Sequence, residues 1–313
     1  MTEAVVQRIE TRAISQRVPT LILVALVVAA PWVVYPVFLM KALCFALFAC
    51  AFNLLNGYVG LLSFGHALFF GGASYVAAHA ALEWGMPPIL AILLSAVVGA
   101  ALGAVVGAIA IRRQGIYFAM ITLALAQMFY FYCLRADFTG GENGIQGVPR
   151  GALLSNMRVM YYFVAAVFLA GFGIVHRVVH SPFGQVLKAI RENEPRAVSL
   201  GYKTDQYKLV AFVLSAGLSA LAGGTKAIVF QLASLTDVHW GTSGEVILMT
   251  LIGGMGTIFG PIAGAVFFTT LENYLAQLGS WVQVTEGVIF VICVLAFRRG
   301  MFGELARLLK RPL

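Results

Sequence analysis

Apolar residues fill this chain in long runs, and polar ones are confined to short interruptions between them. Reading the runs against charge gives spans near residues 19–40, 42–58, 60–82, 89–111, 115–134, 159–180, 208–231, 243–258, 260–278 and 282–298, most of them long enough for about 30 Å of hydrocarbon. Inside lipid every backbone group needs an internal partner, which a helix supplies along its own length. The expectation is therefore an all-α polytopic membrane protein with about ten transmembrane helices. The first run, Pro19 to Met40, is longer than a signal-peptide core and lacks a small-residue cleavage site behind it, so it reads as a retained helix. The junctions at Gly57–Gly60 and Gly253–Pro261 are glycine-rich, and each is readable as a turn or as a broken helix.

One stretch departs from the pattern. Ser181 to Lys208, SPFGQVLKAIRENEPRAVSLGYKTDQYK, is amphipathic and charged. Ser181 is placed to cap a helix, Pro182 suits its first position, and Phe183, Val186, Leu187 and Ile190 recur on one face. Lys188, Arg191 and Glu192 take the polar side. A second short helix is expected from Pro195, turning Ala197, Val198 and Leu200 inward and stopping at Gly201, where a left-handed residue costs little. Setting topology requires charge in such a loop but no apolar face, so the pattern points to contact with another protein.

Charge fixes an expected orientation. Only 11% of residues are charged against 60% hydrophobic, and the net charge of +8 is gathered beside spans. With basic tails inside, the Arg112–Arg113 turn and the 181–208 loop fall on the cytoplasmic face, while Asp137–Arg158 and Ala233–Trp240 fall outside. Residues 1–18 and 301–313 are then cytoplasmic basic tails around a single transmembrane domain, 19–300. Basic clusters in these places suit anionic lipid, not nucleic acid. Gly99, Gly103 and Gly107, and again Gly256, Gly260 and Gly264, recur every fourth residue, a spacing that lets helices approach closely within one subunit or between two. Cys44, Cys50, Cys133 and Cys293 stand singly in apolar runs and read as packing residues.

Candidate chemistry is sparse. Asn53, Asn56, Ser63, His66, Ser74 and Tyr75 are polar positions in a glycine-rich apolar segment; they line a translocation pathway or tie helices together. Lys41, Glu83, Lys226, Glu245, Glu272 and Glu286 fall mostly near span ends, and no midplane set of carboxylates suggests ion coupling. No nucleophile–base pair, phosphate-binding glycine loop, cofactor motif or metal-ligand spacing is present. These absences point to a transport subunit and away from an enzyme.

NLLNGYVGLLSFGHALFFGGASY, GQVLKAIRENEPRAVSLGY followed by KLVAFVLSAGLSALAGG, ILMTLIGGMGTIFGPIAGA and the tail RRGMFGEL together resemble the LivM-type inner-membrane permeases of branched-chain amino acid ABC importers, from about residue 42 to 304. The resemblance implies the larger importer-type permease fold and an inner-membrane location. It also implies a homologous second permease, two ATPase subunits at the cytoplasmic face, and a periplasmic or lipid-anchored binding protein that delivers substrate. The family's ATPase-coupling loop maps onto Gly184 to Gly201, the segment already singled out, with Phe183, Gly184, Val186, Leu187, Lys188, Ile190, Arg191, Glu192, Ala197 and Gly201 as its candidate contacts. The implied solute is a branched-chain amino acid or a related small polar or amphipathic compound. A stand-alone secondary transporter or channel is the alternative class.

Overall fold

The structure, a computed structural model, describes residues 19–151, 154–296 and 300–301; tail 1–18 and nearly all of 301–313 lie outside these. Ten apolar helices form the described bundle: α1 (Pro19–Trp32), α2 (Pro36–Asn53), α3 (His66–Leu82), α4 (Pro88–Ala110), α5 (Ile116–Arg135), α6 (Met157–His180), α9 (Thr204–Phe230), α10 (Trp240–Gly253), α11 (Gly260–Leu275) and α12 (Val282–Ala296). Two more, α7 (Pro182–Glu192) and α8 (Glu194–Ser199), make up the loop between α6 and α9. The chain is all-α and polytopic: α2 with its extension to Val59, α4, α5, α6 and α9 are long and apolar enough to cross a membrane by length and composition.

Proline and glycine place the breaks. The run expected as one span over 19–40 is cut in two, because α1 ends at Trp32 just after Pro31, and α2 restarts at Pro36, whose preceding residue Tyr35 is extended at ψ 124°. Lys41, expected at a boundary, therefore lies inside α2. At its far end α2 widens into a π-helical turn, Leu54–Val59, which stops at Gly60 with φ +83°. The next span, expected from residue 60, becomes helical only at His66. The glycine-rich stretch after α10 is a non-helical connection, Gly254–Phe259, in which Gly254 (φ +118°) and Gly256 (φ +77°) hold conformations that side chains disfavour.

Small residues set the packing. A side chain at Gly99 would overlap Ala220, and one at Gly103 would overlap Ala216, so α4 and α9 meet backbone to backbone inside one chain. Gly264 on α11 is pressed in the same way against the Met249 carbonyl of α10. Around these seams, α2 is the buried centre: Phe48 and Phe52 meet Phe70, Phe168 and Phe268 in one apolar cluster. Cys44, Cys50 and Cys133 are buried free thiols and Cys293 is half-buried.

The two connections expected on the same outer side are joined. β1 (Ile145–Gln146) pairs antiparallel with β2 (Leu232–Ala233), with Ile145 opposite Ala233. Gln231 extends the ribbon, its carbonyl accepting from the Gly147 N–H at 3.0 Å and its side chain donating to the Val148 carbonyl at 3.1 Å. The bundle thus has a ribbon end and, opposite it, a loop end carrying α7 and α8.

Candidate functional site

Local capping builds the loop. The Ser181 hydroxyl accepts from the Gly184 N–H at 3.3 Å and Pro182 fills the first turn of α7. Asn193 then breaks the chain and caps α8, accepting from the Arg196 N–H at 3.1 Å; this cap was not read from the sequence. Gly201 at φ +88° ends the segment as expected. Glu194 pairs with the buried Lys208, which fastens the start of α8 to α9.

The apolar face of α7 is spent on the protein's own core. Leu187 (0% exposed) and Ile190 (3% exposed) are buried, Leu187 in a cluster with Leu55, Val59, Phe69, Phe118 and Phe212, and Phe183 stacks on Tyr207 with ring centroids 5.5 Å apart. Gly184 sits directly on the Val178 and Val179 backbone. This corrects the reading of Leu187 and Ile190 as part of a face offered to a partner, with Phe183 packed beside them, while Val186 stays half-buried: an amphipathic pattern requires a cover, and here the π turn and α9 supply it for these residues. A second correction follows on α8. Ala197 is buried as expected, but Val198 and Leu200, expected inward, are 53% and 68% exposed, with Tyr202 beside them at 41%. The apolar surface that the loop leaves open is Val198, Leu200 and Tyr202, flanked by the exposed Glu192 and Arg196. Six-residue helices have too few positions for a periodicity to declare its face.

Two breaks in the bundle meet under α7. The Arg191 guanidinium donates to the carbonyl of Gly57, in the middle of the π turn, and Lys188 lies 5.6 Å from the Tyr58 ring centroid. Asn53 reaches the other break: its amide N–H donates to the Thr257 carbonyl at 2.8 Å, and its side-chain oxygen accepts from the Gly256 N–H at 3.0 Å. Asn56 adds a contact to the Met255 sulfur at 3.2 Å. Any side chain at Gly57 would strike Asn53 and the Gly256 nitrogen. Loop helix, π turn and the 254–259 connection therefore form one junction, closed by Arg191 and Asn53.

The remaining candidate pathway residues are spread through the interior. Ser63 is buried and accepts from the Gly65 N–H at 3.2 Å, and Ser74 returns its proton to the Gly71 carbonyl at 2.6 Å. His66 Nε2 lies 2.9 Å from the Ser215 hydroxyl, which itself donates to the Ala51 carbonyl at 2.6 Å. Since that hydroxyl has one proton to give, Nε2 carries the shared proton and Nδ1 is the bare nitrogen. Among the described residues, neither His66 Nδ1 nor the Tyr75 hydroxyl has a hydrogen-bond partner, although both are buried. Thus Asn53 and Asn56 gather at the loop-end junction, whereas Ser63, His66, Ser74 and Tyr75 are buried apart from it, with His66 joined to α9 through Ser215.

Sequence reasoning took the ionisable residues singly and missed their pairing. Lys41 on α2 bonds Glu272 on α11 at 2.8 Å, and Lys226 on α9 bonds Asp237 in the connection after β2. Both lysines lie over the Phe45 ring, at 5.9 and 5.8 Å from its centroid. Lys41 and Glu272 are 231 residues apart and carry no local spacing signal; Lys226 and Asp237 are only 11 apart but lie on either side of the helix end and β2, where no helical periodicity links them.

Against known proteins, the chain is 24% identical over 277 residues to the high-affinity branched-chain amino acid transport system permease protein LivM of Salmonella typhimurium, covering 80% of this chain and 65% of that protein. It is 30% identical over 237 residues to the ribose import permease protein RbsC of Bacillus subtilis, covering 69% and 70%. It is also 29% identical over 193 residues to the autoinducer 2 import system permease protein LsrC of Salmonella paratyphi B, covering 56% and 53%. The chain spans just under two thirds of the length of the LivM proteins it matches. No solved structure matches it. The sequence profile of one family fits residues 34–297, a region that contains the loop, the π turn and the junction between them, and the chain belongs to that family: the permease component of branched-chain amino acid transport systems.

Proposed function

We propose that this chain is a transmembrane permease subunit of an ATP-driven ABC importer for branched-chain amino acids or a related small polar or amphipathic solute. It sits in an inner membrane with both tails cytoplasmic, pairs with a homologous second permease, and is driven by two ATPase subunits that bear on the α7–α8 loop. A periplasmic or lipid-anchored binding protein delivers the solute to the opposite end. Names of similar proteins include branched-chain amino acids, ribose and autoinducer 2 as cargo, so the amino acid rests on the family and on the breadth of the LivM similarity.

The observation that carries this reading is the junction. A loop that only set topology has no need to be bolted through Arg191 to a π turn, or to meet a second break held by Asn53. The geometry suits force transmission: the buried face of α7 makes the loop rigid with the bundle, and Val198, Leu200 and Tyr202 are left for the ATPase. Displacement of α7 then moves the π turn and the 254–259 connection together, which are the points where α2 and α10–α11 can bend. Co-purification with ATPase subunits, followed by uptake of labelled leucine into proteoliposomes, tests the assignment. ATP-dependent uptake by the complex supports it, and uptake by the chain alone without ATP would overturn it in favour of a secondary transporter.

A further inference from the structure

At the ribbon end, where α3 and α5 both finish, the surface folds into a half-open cavity of about 260 Å3. His79, Leu82 and Glu83 from the end of α3 line one side, Asp137 and Phe138 from the turn after α5 line another, and Gln146 of β1 closes it. Thr139 is buried and donates to the Cys133 carbonyl at 2.5 Å and the Ala136 carbonyl at 2.8 Å, which fastens that turn to α5. One wall is made of rings: Phe138 and His79 lie 4.2 Å apart between centroids, and the exposed Trp84 meets His79 at a right angle at 5.5 Å.

The lining accepts hydrogen bonds and offers few. Glu83 and Asp137 are exposed, and neither carboxylate has a hydrogen-bond or ion-pair partner among the described residues. Gln146 spends an amide N–H on the Asn143 carbonyl at 3.3 Å, which leaves its side-chain oxygen as a further acceptor. The Gly140 and Gly144 N–H groups, donors that an anion would need, are used inside the turn at 3.1 and 3.4 Å. Among the described lining residues there is no lysine or arginine, and the carbonyl ends of α3 and α5 add partial negative charge. Acceptors gathered beside a wall of rings suit a flat cation with several N–H donors, which is a guanidinium. The volume lies below the about 300–1,000 Å3 usual for a free ligand and suits one side chain. We infer that this cavity receives an arginine side chain of a protein seated on the ribbon end, with Glu83 and Asp137 pairing with the guanidinium and the Phe138–His79 wall stacking on it. A zwitterionic solute fits poorly, because its carboxylate would meet two others with no cation opposite. The occupant rests on the importer reading, which puts the solute-delivering protein at this end, and arginine is among the side chains that most often anchor such contacts.

Protection of a reporter thiol tests the cavity, and transport tests its occupant. Leu82→Cys, at an exposed lining position, is placed in a background carrying Cys293→Ser, and its reaction with a small neutral thiol reagent is followed in purified protein. N-acetylarginine methylamide is expected to slow labelling, its lysine counterpart to slow it less, and the neutral citrulline counterpart not at all. Glu83→Gln and Asp137→Asn are each expected to raise the half-protecting concentration by about threefold and together by about tenfold, as for two exposed ion pairs. In proteoliposomes of the whole complex, the double variant is expected to raise the binding-protein concentration for half-maximal uptake by a similar factor, with uptake at saturating binding protein unchanged. Should Leu82→Cys give no monodisperse protein, the exposed Asn143→Cys carries the same expectation. Equal protection by the arginine and citrulline compounds, protection unchanged in the double variant, or an unmoved half-maximal concentration overturns the proposal. Slower labelling in phosphatidylethanolamine than in phosphatidylglycerol nanodiscs, with no probe added, overturns it in favour of a lipid headgroup. Failure of the importer reading has a separate mark: no ATP-dependent uptake by the unaltered chain, with arginine protection intact, removes the occupant and leaves the cation-binding cavity.

Discussion

Arg191, on the loop helix, donates to the main-chain carbonyl of Gly57, 134 residues earlier in the chain. The acceptor lies in a π turn, whose backbone bonding is looser than that of the α-helix it extends, so a charged donor arriving from outside both steadies the turn and attaches it to the loop. Arg191→Ala removes this attachment while the caps at Ser181 and Asn193 remain. The complex is expected to assemble and hydrolyse ATP but to import several-fold less solute per ATP, consistent with a charge-assisted bond of about 1.5–3 kcal/mol. An unchanged ratio of uptake to ATP hydrolysed would sink the transmission role.

The two faces of the loop give opposite mutants. Leu187→Asp and Ile190→Asp place a carboxylate among buried apolar residues and are expected to cost several kcal/mol, so folded protein itself should be lost. Val198→Asp and Leu200→Asp change exposed positions and are expected to leave yield and melting temperature intact while reducing ATPase co-purification. Normal yield for Leu187→Asp together with lost co-purification would return the docking face to α7.

Asn53 provides a third test. Asn53→Ala breaks two hydrogen bonds to the 256–257 backbone, each worth about 1 kcal/mol, and leaves the Gly256 N–H and the Thr257 carbonyl short of a partner. Thermal stability of the purified protein is expected to fall, with transport falling in step. A transport defect at full stability would instead make Asn53 a residue of the solute route.

The α4–α9 seam predicts where a bulky residue does harm. Gly103→Leu drives a side chain into Ala216 and is expected to destabilise the single chain by about 1–3 kcal/mol, lowering its melting temperature in detergent whether or not a second permease is present. Full stability alone with lost pairing would relocate the seam to a subunit interface.

Orientation is open to direct measurement. In a cysteine-free background, a cysteine at the exposed Asn193 is expected to react only from the cytoplasmic side, and one at the exposed Asn143 only from the other side. The reverse pattern would put the loop out of reach of any ATPase.

Long apolar runs and terminal caps were legible because they are local: Ser181, Pro182 and Gly201 declare α7 and the end of α8 from neighbouring residues alone. The span boundaries shifted where hydropathy and backbone chemistry disagree. Pro31 and Pro36 interrupt a run that stays apolar throughout, and no hydropathy count registers that. Which side covers an amphipathic helix is a tertiary fact, so Leu187 could be seen to need burial without showing that Val59 and Phe212 provide it. The contacts that organise the site were least visible of all, since Asn53 with Thr257, Lys41 with Glu272 and Arg191 with Gly57 are each joined across more than a hundred residues.

The short ribbon of Ile145–Gln146 with Leu232–Ala233 links the approach to α6 with the exit of α9 at one end of the molecule. At the other end the same two helices are bridged by α7 and α8. Ties at both ends oppose a splaying of α6 from α9, though the ten residues between Gln146 and Met157 separate the ribbon from α6 itself. Any bending of the bundle would then draw on its two breaks, the π turn that ends α2 and the glycine connection between α10 and α11.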